Sequence, residues 1–217
     1  MDFDLDHTDR LLSTTRSVRR RLDLERPVER ARLLECIRLA VQAPTGGNTQ
    51  TWRWVVVDDP ATKSGLGELY ARAARQYLPL YREGRQLDDQ TTKVLDSADY
   101  LAEVMGRAPA LVVPCIKDRL GETSVILAST MYGSIIPAVW SFQLALRSRG
   151  LGSCFTTLHL VYEREAAALL EIPDGVTQIA LLPVAHTKGT DFQPAKRGPV
   201  ERITYWNRWK QTDPAAT

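Results

Sequence analysis

The sequence predicts a sandwich of helices on a small sheet, α/β or α+β in class. Three short apolar runs, WRWVVV at 52–57, ALVVPCI at 110–116 and QIALLPVA at 178–185, have strand length and strand composition. The long intervals between them carry apolar residues at spacings of three and four, so helix outweighs strand. No internal repeat is present, which excludes a solenoid, and the strands are too few for a barrel. At 217 residues, 44% hydrophobic and 25% charged, the balance is that of a globular protein with one sizeable core. One domain spanning 1–217 is the expectation.

In chain order, residues 8–20 suggest a first helix leading into the basic run Arg16, Ser17, Val18, Arg19, Arg20, Arg21. Pro27 and Val28 open a second helix running to Ala43, with Leu33, Leu34, Ile37, Ala40 and Val41 on its buried face. Trp52–Val57 is the first strand. Asp58, Asp59 and Pro60 start a long helix that keeps Leu66, Leu69, Tyr70, Ala73, Ala74 and Tyr77 in helical register. The polar stretch from Leu78 to Gly106 holds the loop REGRQLDDQ and then a helix with Val94, Leu95, Ala98 and Leu101. Tyr77, Tyr81 and Tyr100 could cap a pocket there or simply lie half-buried.

A second strand spans Pro109 to Ile116, and its Pro114 is awkward in a central strand. The segment Thr123 to Leu146 carries no charge over a length that could cross a bilayer. Ser124, Ser129, Thr130, Ser134, Ser141 and Gln143 lie around all its faces and Pro137 interrupts it, so a covered helix at a subunit interface is the expectation, not a membrane span. Gly150 ends it, and Gly152 allows a tight path into a short extended piece. A helix from Glu163 to Leu170, a third strand from Val176 to Ala185 and an aromatic arm, PAKRGPVERITYWNRW, complete the chain.

A net charge of +2 gives no support for bulk binding to nucleic acid, and a solvated face is the commoner fate of a basic run. Cys36, Cys115 and Cys154 are three in number, far apart and without a CxxC pair, so neither a disulfide framework nor a metal site is expected. The acidic N-terminus MDFDLDHTDR lacks a secretory apolar run, which leaves the cytoplasm as the default location.

No GxSxG, GxxxxGKS, GxGxxG or HExxH pattern is present, and His7, His159 and His186 stand singly. Three polar clusters remain. Arg16, Ser17 and Arg19 offer guanidinium and hydroxyl donors suited to a phosphate. Pro44, Thr45, Gly46, Gly47, Asn48 and Gln50 lie between helix and strand. They make either an ordinary solvated turn or a loop whose amides hold a flat polar edge. Lys196 and Arg197 form a late basic pair.

In this order the clusters resemble the nitroreductase family of FMN-dependent oxidoreductases, in an actinobacterial subgroup. The N-terminal RRSxR motif appears as TRSVRRR, PSxxN-QPW appears as Pro44 to Trp52, the GLG motif is Gly150 to Gly152, and the basic pair closes the set. Two positions depart from the pattern: Thr15 stands for an arginine and Thr51 for a proline.

The resemblance implies an α+β, three-layer α/β/α sandwich assembled as an intertwined homodimer. It implies FMN as cofactor, NADH or NADPH as donor, and a small flat acceptor such as a nitroaromatic or quinone. Arg16, Ser17 and Arg197 would hold the FMN phosphate with help from Lys196. Arg19 would sit at the flavin N1 and O2 edge, and Asn48 and Gln50 would bond the pyrimidine and ribityl groups. Thr156, Thr157 and Leu158 would lie near N5, and Pro137 would touch the flavin face from the partner chain. No side chain need act as acid or base, because the cofactor carries the chemistry. A reductive dehalogenase, a flavin-consuming enzyme or a flavin-sequestering protein without turnover are the alternatives.

Overall fold

The computed structural model describes residues 2–84, 86–119 and 124–212. They form two compact units, Met1–Thr14 with Phe192–Thr217, and Thr15–Asp191. The first holds helix α1 (Leu5–Thr14) and a 3-10 turn at Val200–Arg202, with Tyr205 packed edge-on to Trp209.

The second unit runs α2 (Arg30–Ala40), β1 (Trp52–Val57), α3 (Pro60–Tyr77), α4 (Asp89–Val104), β2 (Ala110–Ile116), α5 (Val125–Arg147), β3 (Leu151–Ser153), α6 (Glu163–Leu169), β4 (Thr177–Gln178) and β5 (Leu182–His186). All strand pairs are antiparallel, in the order β1-β2-β5-β3, with β4 also on β2. The class is α+β.

Strand β2 is buried along its whole length. Its apolar run therefore has no polar face to alternate with. Ala110, Val112 and Ile116 face a core built from Leu33, Cys36 and Ala40 of α2 and Met131, Ile135, Val139 and Phe142 of α5. Leu111, Val113 and Cys115 point the other way and are equally buried. Helix α3 packs on the turn at Met105–Arg107, where a side chain on Gly67 would meet the Gly106 backbone at 2.7 Å. Asp59 caps α3 by accepting from the Thr62 amide at 2.8 Å, and Asp88 caps α4 through Thr91 at 2.7 Å.

Several expectations change. Helix α1 stops at Thr14, and the basic run leaves it because the Val18 amide pairs with the Ser153 carbonyl at 2.9 Å. Tertiary pairing overrides local helix propensity there. Helix α2 begins after the Glu29 cap and ends at Ala40. Gln42 and Ala43 then bond back three residues, since the site before Pro44 disfavours helical backbone. Leu34, expected on the buried face, is exposed.

Pro114 does sit in a central strand. In an antiparallel strand a residue's nitrogen and carbonyl point to the same side, and the Pro114 carbonyl accepts from the Ile179 amide. The missing N–H therefore falls on the side where β5 has ended and β4 has yet to pair, and β1 loses nothing. The single strand expected over 176–185 is two strands, because residues 179–181 turn aside to pair with Pro114 and Thr156.

Among the described residues, α5 is the one helix long and apolar enough to cross a membrane by length and composition. Thr123, expected at its start, lies outside the described residues, as does Arg85 of the REGRQLDDQ loop. Nine α5 residues, from Met131 to Leu146, are buried in the unit.

Candidate functional site

Strand β3 is too short to hold itself, and it gains a neighbour on each side: β5 in register, and the segment Arg16–Arg19 through Val18. Gly152 makes the second contact possible. A Cβ there would lie 3.0 Å from the Val18 Cβ and 2.7 Å from the Thr187 Cγ2. The GLG glycine thus lets the basic segment lie flat on the sheet edge. Behind it, Gln143 of α5 donates to the Ser153 hydroxyl at 3.0 Å.

This docking brings Ser17 and Arg19 near Cys154, which itself neighbours Tyr70. Burial pushes the Cys154 thiol up, against the opposing pull of the nearby Arg19 charge and of the Ser17 and Arg19 side chains. Burial also pushes the Tyr70 hydroxyl up to about 12, with Cys154 beside it adding to the rise. The Thr156 side chain opposes this rise, and its hydroxyl donates to the Leu181 carbonyl at 2.5 Å. That proton is engaged, so the Thr156 hydroxyl has only lone pairs left to offer. Thr157 is exposed and Leu158 half-buried, at the start of the 3-10 turn Leu158–Tyr162.

The other arginines of the run are tied as well. Arg20 donates to the Asp96 carbonyl at 3.1 Å and lies over the Tyr100 ring at 5.1 Å. Arg21 bridges the Lys188 carbonyl and Asp191. Arg16 and Ser17 are exposed.

The amide loop is built on α5. The Gly46 amide donates to the Ser134 hydroxyl at 3.0 Å, and Ser134 in turn donates to the Thr130 carbonyl. Trp52 Nε1 donates to the Ser134 carbonyl at 2.8 Å. A Cβ on Gly46 would meet Thr130 Cγ2 at 2.5 Å, so glycine is needed for the approach. Pro44 is exposed and Thr45 half-buried, its hydroxyl receiving the Gln50 amide at 3.3 Å. Gly47, Asn48 and Gln50 all take left-handed backbone, at φ of 58°, 54° and 50°. Glycine and asparagine tolerate this, but glutamine does so at a cost of about 1–2 kcal/mol. The side chains of Asn48 and Gln50 bond each other at 2.9 Å and face solvent. Strain of this kind concentrates at functional loops. Replacing Gln50 by glycine should therefore raise stability by about 0.5–1 kcal/mol in urea unfolding, after glycine's own entropic cost.

The loop thus rests on α5 at Ser134, and the basic segment is linked to the same helix through Ser153 and Gln143. Nine residues separate Ser134 from Gln143, roughly 13 Å of axis. Pro137 lies between them on the exposed side of α5. Lys196 and Arg197 belong to the other unit and are exposed, with Arg197 donating to the Lys196 carbonyl at 3.0 Å.

Sequence patterns did not single out Tyr70, Cys154, Ser134 or Thr130 as site residues. Each reads locally as helix or core, and only the docking of distant segments gives it a partner at the site.

His159 is a different case. It is fully buried, neither ring nitrogen has a partner, and burial pushes it down to about 4 against the opposing pull of Glu163. It stays neutral when folded and has no proton to exchange near neutrality. Its pKa is depressed from about 6.5, so the stability it preserves is complete above that value and lost as pH falls towards 4. His159→Leu should keep full stability at pH 7.5 and remove roughly 3 kcal/mol of the acid sensitivity between pH 6.5 and 4, measured by urea unfolding across pH.

Comparison with known proteins completes the description. Residues 12–186 match the Nitroreductase family. A curated relative, an NADH dehydrogenase from Thermus thermophilus, is 27% identical over 210 residues, covering 88% of this chain and 91% of that protein. Among solved structures, an oxidised iodotyrosine deiodinase bound to FMN and 3-iodo-L-tyrosine is 22% identical with a TM-score of 0.70, over 92% of this chain and 98% of that one. An FMN- and NADPH-dependent nitroreductase from sphigopyxis sp. strain HMH is 20% identical with a TM-score of 0.65, over 93% and 99%. These two share the fold, and the family match covers most of the sequence, including the basic run, the amide loop and the GLG glycines: the chain belongs to the nitroreductase family.

Proposed function

We propose that this chain is an FMN-dependent oxidoreductase that takes electrons from NADH or NADPH and passes them to a flat acceptor such as a nitroaromatic or quinone, bound FMN carrying the hydride at its N5. The observation that carries the reading is the docking of Arg16–Arg19 on β3 across Gly152. It brings Arg19 and the Ser17 hydroxyl towards Cys154, two residues before Thr156, with Arg16 next to Ser17 in the chain.

The donor set suits the cofactor. Arg16 and Ser17 would bind the phosphate through charge-assisted hydrogen bonds, and Arg19 would place its charge at the N1 and O2 edge. Because the Thr156 hydroxyl proton is engaged, the N5 donor would come from a backbone amide or the Thr157 hydroxyl. Asn48 and Gln50 would bond the pyrimidine and ribityl groups. Lys196 and Arg197 enter from the motif match alone.

A homodimer is part of the proposal. Val125, Ile126 and Leu127 on α5 are 84%, 72% and 62% exposed, an apolar edge that a second copy would cover. Pro137 would then meet FMN from the partner. All three cysteines are free and buried, which suits the reducing cytoplasm.

The test is direct. Purified protein should show a flavin visible spectrum, or acquire one with added FMN, and should oxidise NADH or NADPH in the presence of a nitroaromatic or quinone. A protein that takes up no FMN overturns the reading. FMN uptake without NAD(P)H oxidation points to sequestration. Halide release from a halogenated aromatic, with no nitro or quinone reduction, points to reductive dehalogenation.

A further inference from the structure

The geometry points to Ser97 of α4 as a positioning residue that aims Arg19 and so sets how strongly the site favours reduced over oxidised FMN. The inference rests on the cofactor reading above. Arg19 Nη1 donates to the Ser97 hydroxyl at 3.3 Å, across 78 residues of sequence. The Ser97 hydroxyl gives its own proton to the Val94 carbonyl at 2.8 Å. Its oxygen therefore presents only lone pairs to the guanidinium, a fixed acceptor rather than a rotor.

Helix α4 is itself pinned to the segment it steers. Arg20 donates to the Asp96 carbonyl and covers the Tyr100 ring, and Arg82 from the turn after α3 reaches Asp96 at 3.4 Å and Asp99 at 2.5 Å. Ser97 lies inside this clamp. The Arg19 charge also acts on the Cys154 thiol and the Tyr70 hydroxyl, pulling both down against their burial. The hydrogen bond to Ser97 fixes the guanidinium to α4, and Ser97 is a neutral acceptor that can be removed without changing any charge.

A cation beside a cofactor that gains negative charge on reduction favours the reduced form, and the effect falls with distance. Letting the charge drift from about 4 to about 6 Å, at an effective dielectric near 20, weakens that preference by a factor of about ten. Ser97→Ala should release Arg19 in this way. Ser97→Thr keeps a hydroxyl with the same helix back-bond and should restore its aim.

The experiment uses the full-length protein loaded with FMN: fluorescence titration of apoprotein for oxidised FMN, and dye-equilibrated potentiometry for the midpoint potential. The expected result is oxidised-FMN affinity within about threefold of wild type in Ser97→Ala, with the reduced-to-oxidised affinity ratio down about tenfold. That ratio corresponds to a midpoint potential about 30 mV lower for a two-electron couple. Ser97→Thr should return to the wild-type potential. Normal FMN uptake with an unchanged potential in Ser97→Ala overturns this inference alone, as does a loss of thermal stability without a potential shift. Wild-type protein that binds no FMN overturns the cofactor reading and this inference together.

Discussion

Phe142→Ala should cost about 3–5 kcal/mol of stability, the largest loss expected from a single truncation here. Phe142 of α5 is fully buried and sits where the helix layer meets the sheet. Its ring packs at 5.3 Å from that of Trp54 on β1, tilted by 49°, an arrangement worth about 0.5–1.5 kcal/mol beyond the area it buries. Truncation leaves a cavity lined by residues of α2, β2 and α5 that are themselves held in place, so collapse into the space is limited. Phe142→Leu refills most of the volume and should lose considerably less. The adjacent Gln143 holds Ser153, whose carbonyl receives Val18, so loosening α5 also loosens the seat of the basic segment. Thermal unfolding should show a fall of about 6–20 °C for a chain of this length. A change below about 1 kcal/mol would mean that the core repacks around the missing ring, and the account of this layer would be wrong.

Local chemistry made much of this fold legible. The first strand spans Trp52–Val57 as its apolar run requires, and α3 starts at Pro60 behind an aspartate cap. Both features depend on residues adjacent in sequence. Where distant segments decide, local patterns fall short. Residues 179–181 look like uninterrupted strand, but Pro114 lacks an N–H at that level and Thr156 docks there instead, so the strand divides. Leu34 is exposed although its spacing predicts burial, because the face of α2 is chosen by where α5 lies.

The candidate site follows the same division. The motif residues were visible as polar clusters and special-backbone glycines, and Asn48 and Gln50 do occupy the left-handed conformations such a loop uses. The groups that hold them, Ser134 under Gly46 and Ser97 against Arg19, are ordinary helical serines in sequence. Nothing local distinguishes them from solvated ones. The Thr156 hydroxyl shows the converse, since a residue matching the motif has its proton committed to the sheet.

Gly152→Ala should lower stability by about 1–3 kcal/mol and weaken FMN uptake in the same protein, because one methyl group acts on both. Its three nearest obstacles are side-chain atoms of Thr187 and Val18, at 2.7 and 3.0 Å. Neither yields easily. Thr187 is held by its hydroxyl to the Gly150 and Gly189 carbonyls, and Val18 is buried, β-branched and stiff about its first torsion. Strand β3 is fixed on its other side by β5, so the displacement must be taken up by the segment Arg16–Arg19. Gly175→Ala is the control. That position has nothing within 4 Å and should change stability by less than about 0.5 kcal/mol. Val18→Ala in the Gly152→Ala background removes one of the two close Val18 atoms and should recover part of both losses, which a double-mutant cycle reads as coupling between the two sites. If Gly152→Ala lowers stability while FMN affinity stays at the wild-type value, the basic segment does not hold the cofactor. The phosphate would then have to be held elsewhere, and the reason for a glycine at 152 would be packing alone.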